Sequence, residues 1–349
     1  MCRNWCVPGC FDCAQIRGWI DVRTAMEYLM QEPDGTVDFA RLHEIGSLPG
    51  LDVRGRWTRT APWGRLSTPI GVAMNGAPVV LDLKLGIDGG DGPHGLVFGS
   101  TGSGKSELLQ SIVLGLAVQN APEEVNFILA QSMGDDTFHS IRGLPHVAGY
   151  FPNFDCDDEN PDLGKRLLDT VANEFTSRIE HVDSCGDFDT FTEYLWAMKA
   201  TGAAKESIPA LVVVIDEFSI LARTHRRHFL DLVAGIGRLG RVAGVHLLLA
   251  TQGSNPEALR AISDFLAYRV ALKSFSRNAF REVLHDDGAV DVPTVPGEAY
   301  FRCGYGPYSH FRAAYASYHI HAADTDDGHG VPFAAALSAT LAQAHSPLR

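Results

Sequence analysis

A chain of 349 residues with 45% hydrophobic content can bury one large core, so a single substantial domain with extensions is expected. The formal charge of -13 at pH 7 weighs against a general nucleic-acid coat, since non-specific duplex binding needs clustered Lys and Arg, although a local basic track in a ring pore stays compatible with it. No run approaches the roughly 18 apolar residues of a membrane-spanning helix, and Met1-Cys2-Arg3-Asn4-Trp5 lacks a signal peptide's apolar run. The expected location is therefore the cytoplasm, with any approach to the inner face of the membrane made through partners.

Residues 1–65 read as an irregular, Cys-containing N-terminal segment or linker, with an amphipathic stretch over 22–29 and a Gly/Trp/Arg-rich run over 50–65. Cys2, Cys6, Cys10 and Cys13 are enough thiolates for zinc or an iron-sulfur cluster. Their spacing is not a paired C-x2-C framework and no His completes it, so a bland terminus competes with the metal reading. Cys156, Cys185 and Cys303 read as small core residues in a reducing compartment.

From Pro69 the pattern changes to two short strands, 70–73 and 79–83, joined by Asn75-Gly76, a hairpin turn pair. Strand-like apolar runs then alternate with helical ones: strands at 95–99, 125–130, 210–216 and 245–251, helices near 105–119, 163–182, 187–200 and 226–240. Such alternation predicts an α/β fold with a mostly parallel central sheet covered by helices on both faces, preceded by the hairpin. Further strands are expected at 268–272, 298–302 and 311–315, closing a domain over 66–318, with 319–349 a C-terminal tail outside the core. The acidic stretch from Glu123 to Asp162 reads as a solvated face, and the arginines from Arg223 to Arg241 as a helix face that is either solvated or a contact surface.

Within this frame Gly99-Ser100-Thr101-Gly102-Ser103-Gly104-Lys105-Ser106 fits G-x4-G-K-S, with a strand before it and apolar residues at helical spacing after it. In that context the loop is a P-loop. Its glycines let backbone N–H groups surround phosphates, the helix N-terminus adds positive potential, Lys105 reaches the β and γ phosphates of ATP, and Ser106 coordinates Mg2+. Glu107 opens the helix beside them. The run Leu211-Val212-Val213-Val214-Ile215-Asp216-Glu217 delivers two carboxylates at a strand's C-terminal end, where open parallel sheets bind ligands. Asp216 is the expected Mg2+ holder and Glu217 the base that activates the attacking water. His246-Leu247-Leu248-Leu249-Ala250-Thr251-Gln252 ends another strand on an amide, and Gln252 is placed to sense the γ phosphate or to serve as a simple cap.

Together with Gly92-Pro93-His94-Gly95, Val214-Ile215-Asp216-Glu217-Phe218, Gly237-Arg238-Leu239-Gly240-Arg241 and Pro296-Gly297-Glu298-Ala299-Tyr300-Phe301, these motifs resemble the FtsK/SpoIIIE domain. Within that superfamily they resemble most the EccC ATPase modules of type VII (ESX) secretion, over roughly residues 66–318. The resemblance implies a RecA-like fold, ATP hydrolysis at subunit interfaces of a homo- or hetero-oligomeric ring, secretion-system membrane components as partners, and small helical export substrates. It also implies an arginine reaching across the interface, for which Arg269 and Arg281 are candidates by position; a surface or salt-bridged arginine is the alternative for each.

The sequence departs from the family pattern in two places. Gln131-Ser132-Met133-Gly134-Asp135 stands where Asp-Phe-Lys-Gly-Gly is usual, and Gly253 replaces an Arg after Gln252. Both changes remove charge at the rim of the site. The readings they leave are a secretion motor acting on proteins, an FtsK-like DNA translocase disfavoured by the acidic charge, and a weakly active regulatory nucleotide-binding subunit.

Overall fold

The computed structural model describes residues 36–59, 66–132, 134, 136–155, 162–204, 207–253, 256–286, 288, 290–320 and 331–346. Cys2, Cys6, Cys10, Cys13, the 22–29 stretch, Met133 and Cys156 lie outside the described residues. In chain order the strands are β1 (Val37–Asp38), β2 (Ser67–Ala73), β3 (Pro78–Asp82), β4 (His94–Phe98), β5 (Val125–Ala130), β6 (Val147–Phe151), β7 (Ala210–Asp216), β8 (Val245–Thr251), β9 (Tyr268–Leu272), β10 (Glu298–Cys303), β11 (Ser309–Tyr315), β12 (His319–Ile320) and β13 (Val331–Pro332). The helices are α1 (Phe39–Leu42), α2 (Val53–Arg59), α3 (Lys105–Gln119), α4 (Leu163–Cys185), α5 (Phe191–Ala200), α6 (Phe218–Thr224), α7 (Arg226–Ala243), α8 (Pro256–Ile262), α9 (Arg277–Leu284) and α10 (Phe333–His345).

One large sheet organises the molecule in the order β3-β2-β11-β10-β9-β4-β8-β7-β5-β6, with β1 alongside β11. From β9 to β6 the pairings are parallel, whereas β10, β11, β2 and β3 are joined antiparallel. The predicted hairpin therefore extends the same sheet as its edge, turning at Gly76 with φ of 85°. The parallel half shows why its strands read as unbroken apolar runs: Val212 and Val214 of β7 enter one core, and Leu211, Val213 and Ile215 enter the other. Strand β6 was not expected: Val147-Ala148-Gly149-Tyr150-Phe151 is a short run interrupted by glycine, at the sheet edge, with none of its residues fully buried.

Two segments expected to lie outside the domain are packed into it. Helix α3 is buried around its whole circumference, from Leu108 to Val118, so the sheet beneath it cannot be its only cover. Residues 37–59 and 333–345 supply the outer layer. Val37, Phe39, Val53, Trp57, Phe333, Leu337 and Leu341 join the same core as Leu108, Ile112 and Leu116. The Trp57 indole N–H donates to the Ala117 carbonyl at 3.0 Å, and Arg54 donates to the carbonyls of Ala344 (2.8 Å) and Ser346 (2.9 Å), joining the two flanks. The boundary expected at 65 and the tail expected after 319 are thereby corrected, and the apolar circumference of residues 105–119 was the signal for it. No helix of the described residues is long and apolar enough to cross a membrane.

Candidate active site

The C-terminal ends of β4, β7, β8 and β9 converge on one edge of the sheet, and the Gly99–Ser106 loop turns there from β4 into α3. Gly104 takes φ of 93°, and a Cβ on it would come within 3.0 Å of the Gly297 nitrogen, so both conformation and space require glycine. The loop is tied to its surroundings by backbone bonds: Gly99 N–H to Thr251 O at 3.2 Å, Ser100 N–H to Lys273 O at 3.0 Å and Gly297 N–H to Ser103 O at 2.8 Å. In α3 the Leu108 N–H donates to the Gly104 carbonyl at 3.0 Å. The amides before it have no intrahelical acceptor and lie at the positive end of the helix, the arrangement that receives phosphate.

Lys105 and Asp216 are 4% and 0% exposed, and their side chains form a hydrogen-bonded ion pair at the base of the loop. The second oxygen of Asp216 accepts from the Thr137 hydroxyl at 2.7 Å. A buried pair of charges is tolerable only when both groups are fully partnered, and here the carboxylate has a cation on one oxygen and a hydroxyl on the other. Glu217 follows with φ of 70°, a left-handed conformation that costs a non-glycine residue on the order of 1 kcal/mol or more. Its carboxylate accepts from the Thr251 hydroxyl (2.7 Å), the Ser219 hydroxyl and the Gln252 N–H (2.8 Å). The Gln252 amide oxygen accepts from the Thr101 hydroxyl at 2.7 Å, which links the end of β8 to the P-loop.

Ser106 and Glu107 open onto a cavity of about 350 Å³ shared with Gln110, Gly134, Asp136, Thr137 and Ser317. Burial pushes the nearby Tyr315 phenol up, and the Glu107 charge adds to the push. The Ser106 hydroxyl and the Asp216 carboxylate are hard oxygen donors of the kind Mg2+ selects, and the polar cavity has room for the waters that ion retains, so the donor set fits the metal. The departures from the family pattern also have a place in the structure. Gln131 uses its side-chain oxygen to accept from the Phe138 N–H at 2.8 Å, fixing the loop that carries Thr137. Gly253 bends back so that its N–H meets the Thr251 hydroxyl at 3.3 Å.

The two candidate arginines separate. Arg269 is only 4% exposed and spends its guanidinium on its own chain, donating to Leu266 O (3.2 Å), Ser263 O (3.0 Å) and Ser263 Oγ (3.0 Å). Burial lowers its pKa from the usual arginine value. It sits near the start of β9, facing the core beneath α8, with its guanidinium occupied within its own chain. Arg281 lies half-buried on α9, beside Gly288, and its Nε has no acceptor among the described residues. Sequence reasoning missed Thr137, Ser219 and Gln110. Thr251 directly precedes Gln252 at a strand end and was legible as a neighbour of the site, whereas a lone threonine in an irregular loop carries no periodic or motif signal.

Strand, glycine loop, buried Lys–Asp pair and adjoining glutamate define the P-loop ATPase class with a RecA-like sheet. The FtsK/SpoIIIE family model matches residues 51–256, and the chain belongs to that family. It is 38% identical over 279 residues to the ESX-4 secretion system protein EccC4 of Mycobacterium tuberculosis, an alignment covering 80% of this chain and 22% of that protein. The cytoplasmic domain of the Thermomonospora curvata type VII secretion ATPase EccC superposes with a TM-score of 0.78 at 36% identity, covering 89% of this chain and 35% of that one. ATPases 2 and 3 of the same EccC, solved with a signal sequence peptide, share the fold at a TM-score of 0.63 and 24% identity, over 81% of this chain and 48% of that one. The chain spans about a fifth of the length of the curated relatives it matches.

Proposed function

We propose that this chain is an ATP-hydrolysing motor module of a type VII secretion system that acts on protein substrates. The observation that carries the reading is the Lys105–Asp216 pair at the base of the P-loop, with Glu217 at the next position. In the proposed mechanism the amides of Gly99 to Ser106 and the N-terminus of α3, with Glu107 beside it, receive the phosphates of ATP. Lys105 exchanges Asp216 for the β and γ phosphates, and Gln252 exchanges Thr101 for the γ phosphate. Ser106 and Asp216 would hold Mg2+, which would supply positive charge to offset the charge developing on the phosphates. Glu217 takes the proton of the attacking water once its carboxylate leaves Thr251 and Ser219.

The type VII assignment rests on the likeness to EccC proteins, and the protein substrate on the signal peptide held by a related module. A ring of copies or of related modules, membrane components as partners and small helical export substrates follow on the same basis; the charge of -13 disfavours DNA. The test is ATP turnover by the chain alone, with an export-signal peptide and with duplex DNA, beside Glu217→Gln. Peptide-dependent turnover or binding, lost turnover in Glu217→Gln and indifference to DNA are expected. DNA-stimulated turnover with a steep salt dependence would replace the reading by a translocase. One observation favours a second reading, a regulatory subunit of slow turnover: the Thr251 hydroxyl and the Gln252 N–H draw Glu217 toward the end of β8, and the Ser219 hydroxyl adds a third donor. A wild-type rate no higher than that of Glu217→Gln would select it.

A further inference from the structure

Thr137 lies outside every motif, yet it makes the second contact to the most deeply buried carboxylate of the site. Its hydroxyl donates to Asp216 Oδ2 at 2.7 Å, while Lys105 occupies Oδ1. The two partners are held very differently. Lys105 is a long, single side chain at the first position of α3, and it is the group that incoming phosphates would draw away. Thr137 is fixed from several sides that do not involve Lys105. Its carbonyl accepts from the Gln110 side chain at 3.0 Å, and the same Gln110 nitrogen donates to Ser140 Oγ at 2.8 Å. Gln110 is itself oriented by the Ser317 hydroxyl, which donates to its oxygen at 3.0 Å. The following peptide is pinned by Phe138 N–H to Gln131 Oε1 at 2.8 Å, and the Phe138 ring is fully buried. Thr137 and Gln110 are 6% and 5% exposed, and Thr137 is β-branched, so its hydroxyl has few alternatives.

We propose that Thr137 is a positioning residue for Mg2+ at this site: it keeps one oxygen of Asp216 engaged when Lys105 departs, so that the other oxygen is aimed at the ion. This inference rests on the ATP-binding reading above. Without Thr137 the carboxylate is free to turn about its terminal bond, because its one remaining side-chain partner among the described residues is the lysine that the nucleotide removes. Outer partners that orient a ligating carboxylate set metal affinity by about 10- to 100-fold, without touching the ion. Gln110 extends the same control to α3, since the helix that begins with Lys105 also carries the side chain that fixes Thr137.

The experiment measures binding of a fluorescent ATP analogue to the full chain in EDTA and across a Mg2+ titration, for the wild type, Thr137→Val and Thr137→Ser. Valine keeps the shape and removes the hydroxyl, while serine keeps the hydroxyl. The expected result is a Mg2+ half-saturation concentration about 10- to 100-fold higher in Thr137→Val and restored toward wild type in Thr137→Ser. Equal weakening in EDTA and in Mg2+ would overturn the inference, leaving Thr137 a structural residue only. So would an unchanged Mg2+ response in Thr137→Val, or a wild type whose affinity ignores Mg2+. Failure of the wild type to bind the analogue at all would instead overturn the nucleotide-binding reading beneath it.

Discussion

Acidification is expected to unfold this protein well above the range in which carboxylates titrate, because four histidines are buried in the neutral form. Burial lowers His43 and His246 to about 3 and His94 and His146 to about 4, from 6.5. One of them is neutral for a visible reason: the Leu247 N–H donates to His94 Nδ1 at 3.1 Å, a nitrogen that must carry no proton. In His146 burial outweighs the 2.8 Å bond from Nε2 to the Asn120 carbonyl, which by itself favours the charged ring. The folded values lie below the unfolded one, so protons are taken up only on unfolding. The stabilisation is therefore complete above pH 6.5 and drains away as pH falls toward the folded values. At pH 5, about 1.5 units below the unfolded value, each histidine has forfeited about 2 kcal/mol. The four together reach about 8 kcal/mol, comparable to the whole stability of an ordinary domain. Urea unfolding at a series of pH values between 7.5 and 5 measures this directly. His146→Phe, which keeps an aromatic ring in the same pocket, should reduce the loss between pH 7.5 and 5 by about 2 kcal/mol, whatever it does to stability at pH 7.5. A midpoint that stays constant down to pH 5, or a variant that loses as much as the wild type, would refute the argument.

Three other outcomes follow from the packing. Lys105→Met removes the cation from a carboxylate that is 0% exposed, so besides losing nucleotide binding it should cost about 3 kcal/mol or more in urea unfolding; unchanged stability would mean that Asp216 is not held as described. Arg269→Ala takes the guanidinium donor from the buried Leu266 carbonyl, while the Ser263 carbonyl keeps the Leu266 N–H, and should cost about 1–3 kcal/mol, with the melting temperature as readout; a variant that melts like the wild type would mean that Arg269 is not held as described. Trp57→Ala uncovers the outer face of α3 and should cost about 3–5 kcal/mol, an effect a mere linker residue would not show.

The site was legible where chemistry demands a residue type in a fixed local frame. Gly104 must adopt a left-handed turn against Gly297, Lys105 must open a helix, and Asp216 must end an apolar strand, and each demand leaves a mark within a few residues of sequence. The parallel half of the sheet was legible for a related reason: strands buried on both faces, such as Val212 to Ile215, have no polar position to blur them. What escaped is what depends on contacts distant along the chain. Thr137 reaches Asp216 across 79 positions, and Arg269 is turned inward by carbonyls of Ser263 and Leu266 that no pattern announces. The flanks were misread because residues 37–59 and 333–345 are unremarkable alone; their purpose lies in the exposed apolar side that α3 would otherwise show.

The clasp around α3 also has a mechanical meaning. The helix begins with Lys105 at the phosphate edge and is gripped near its far end by Trp57 on Ala117, within a layer that Arg54 staples to residues 344 and 346. The first turn of that helix underlies the P-loop, so the two flanks are structural supports of the loop and not appendages to it.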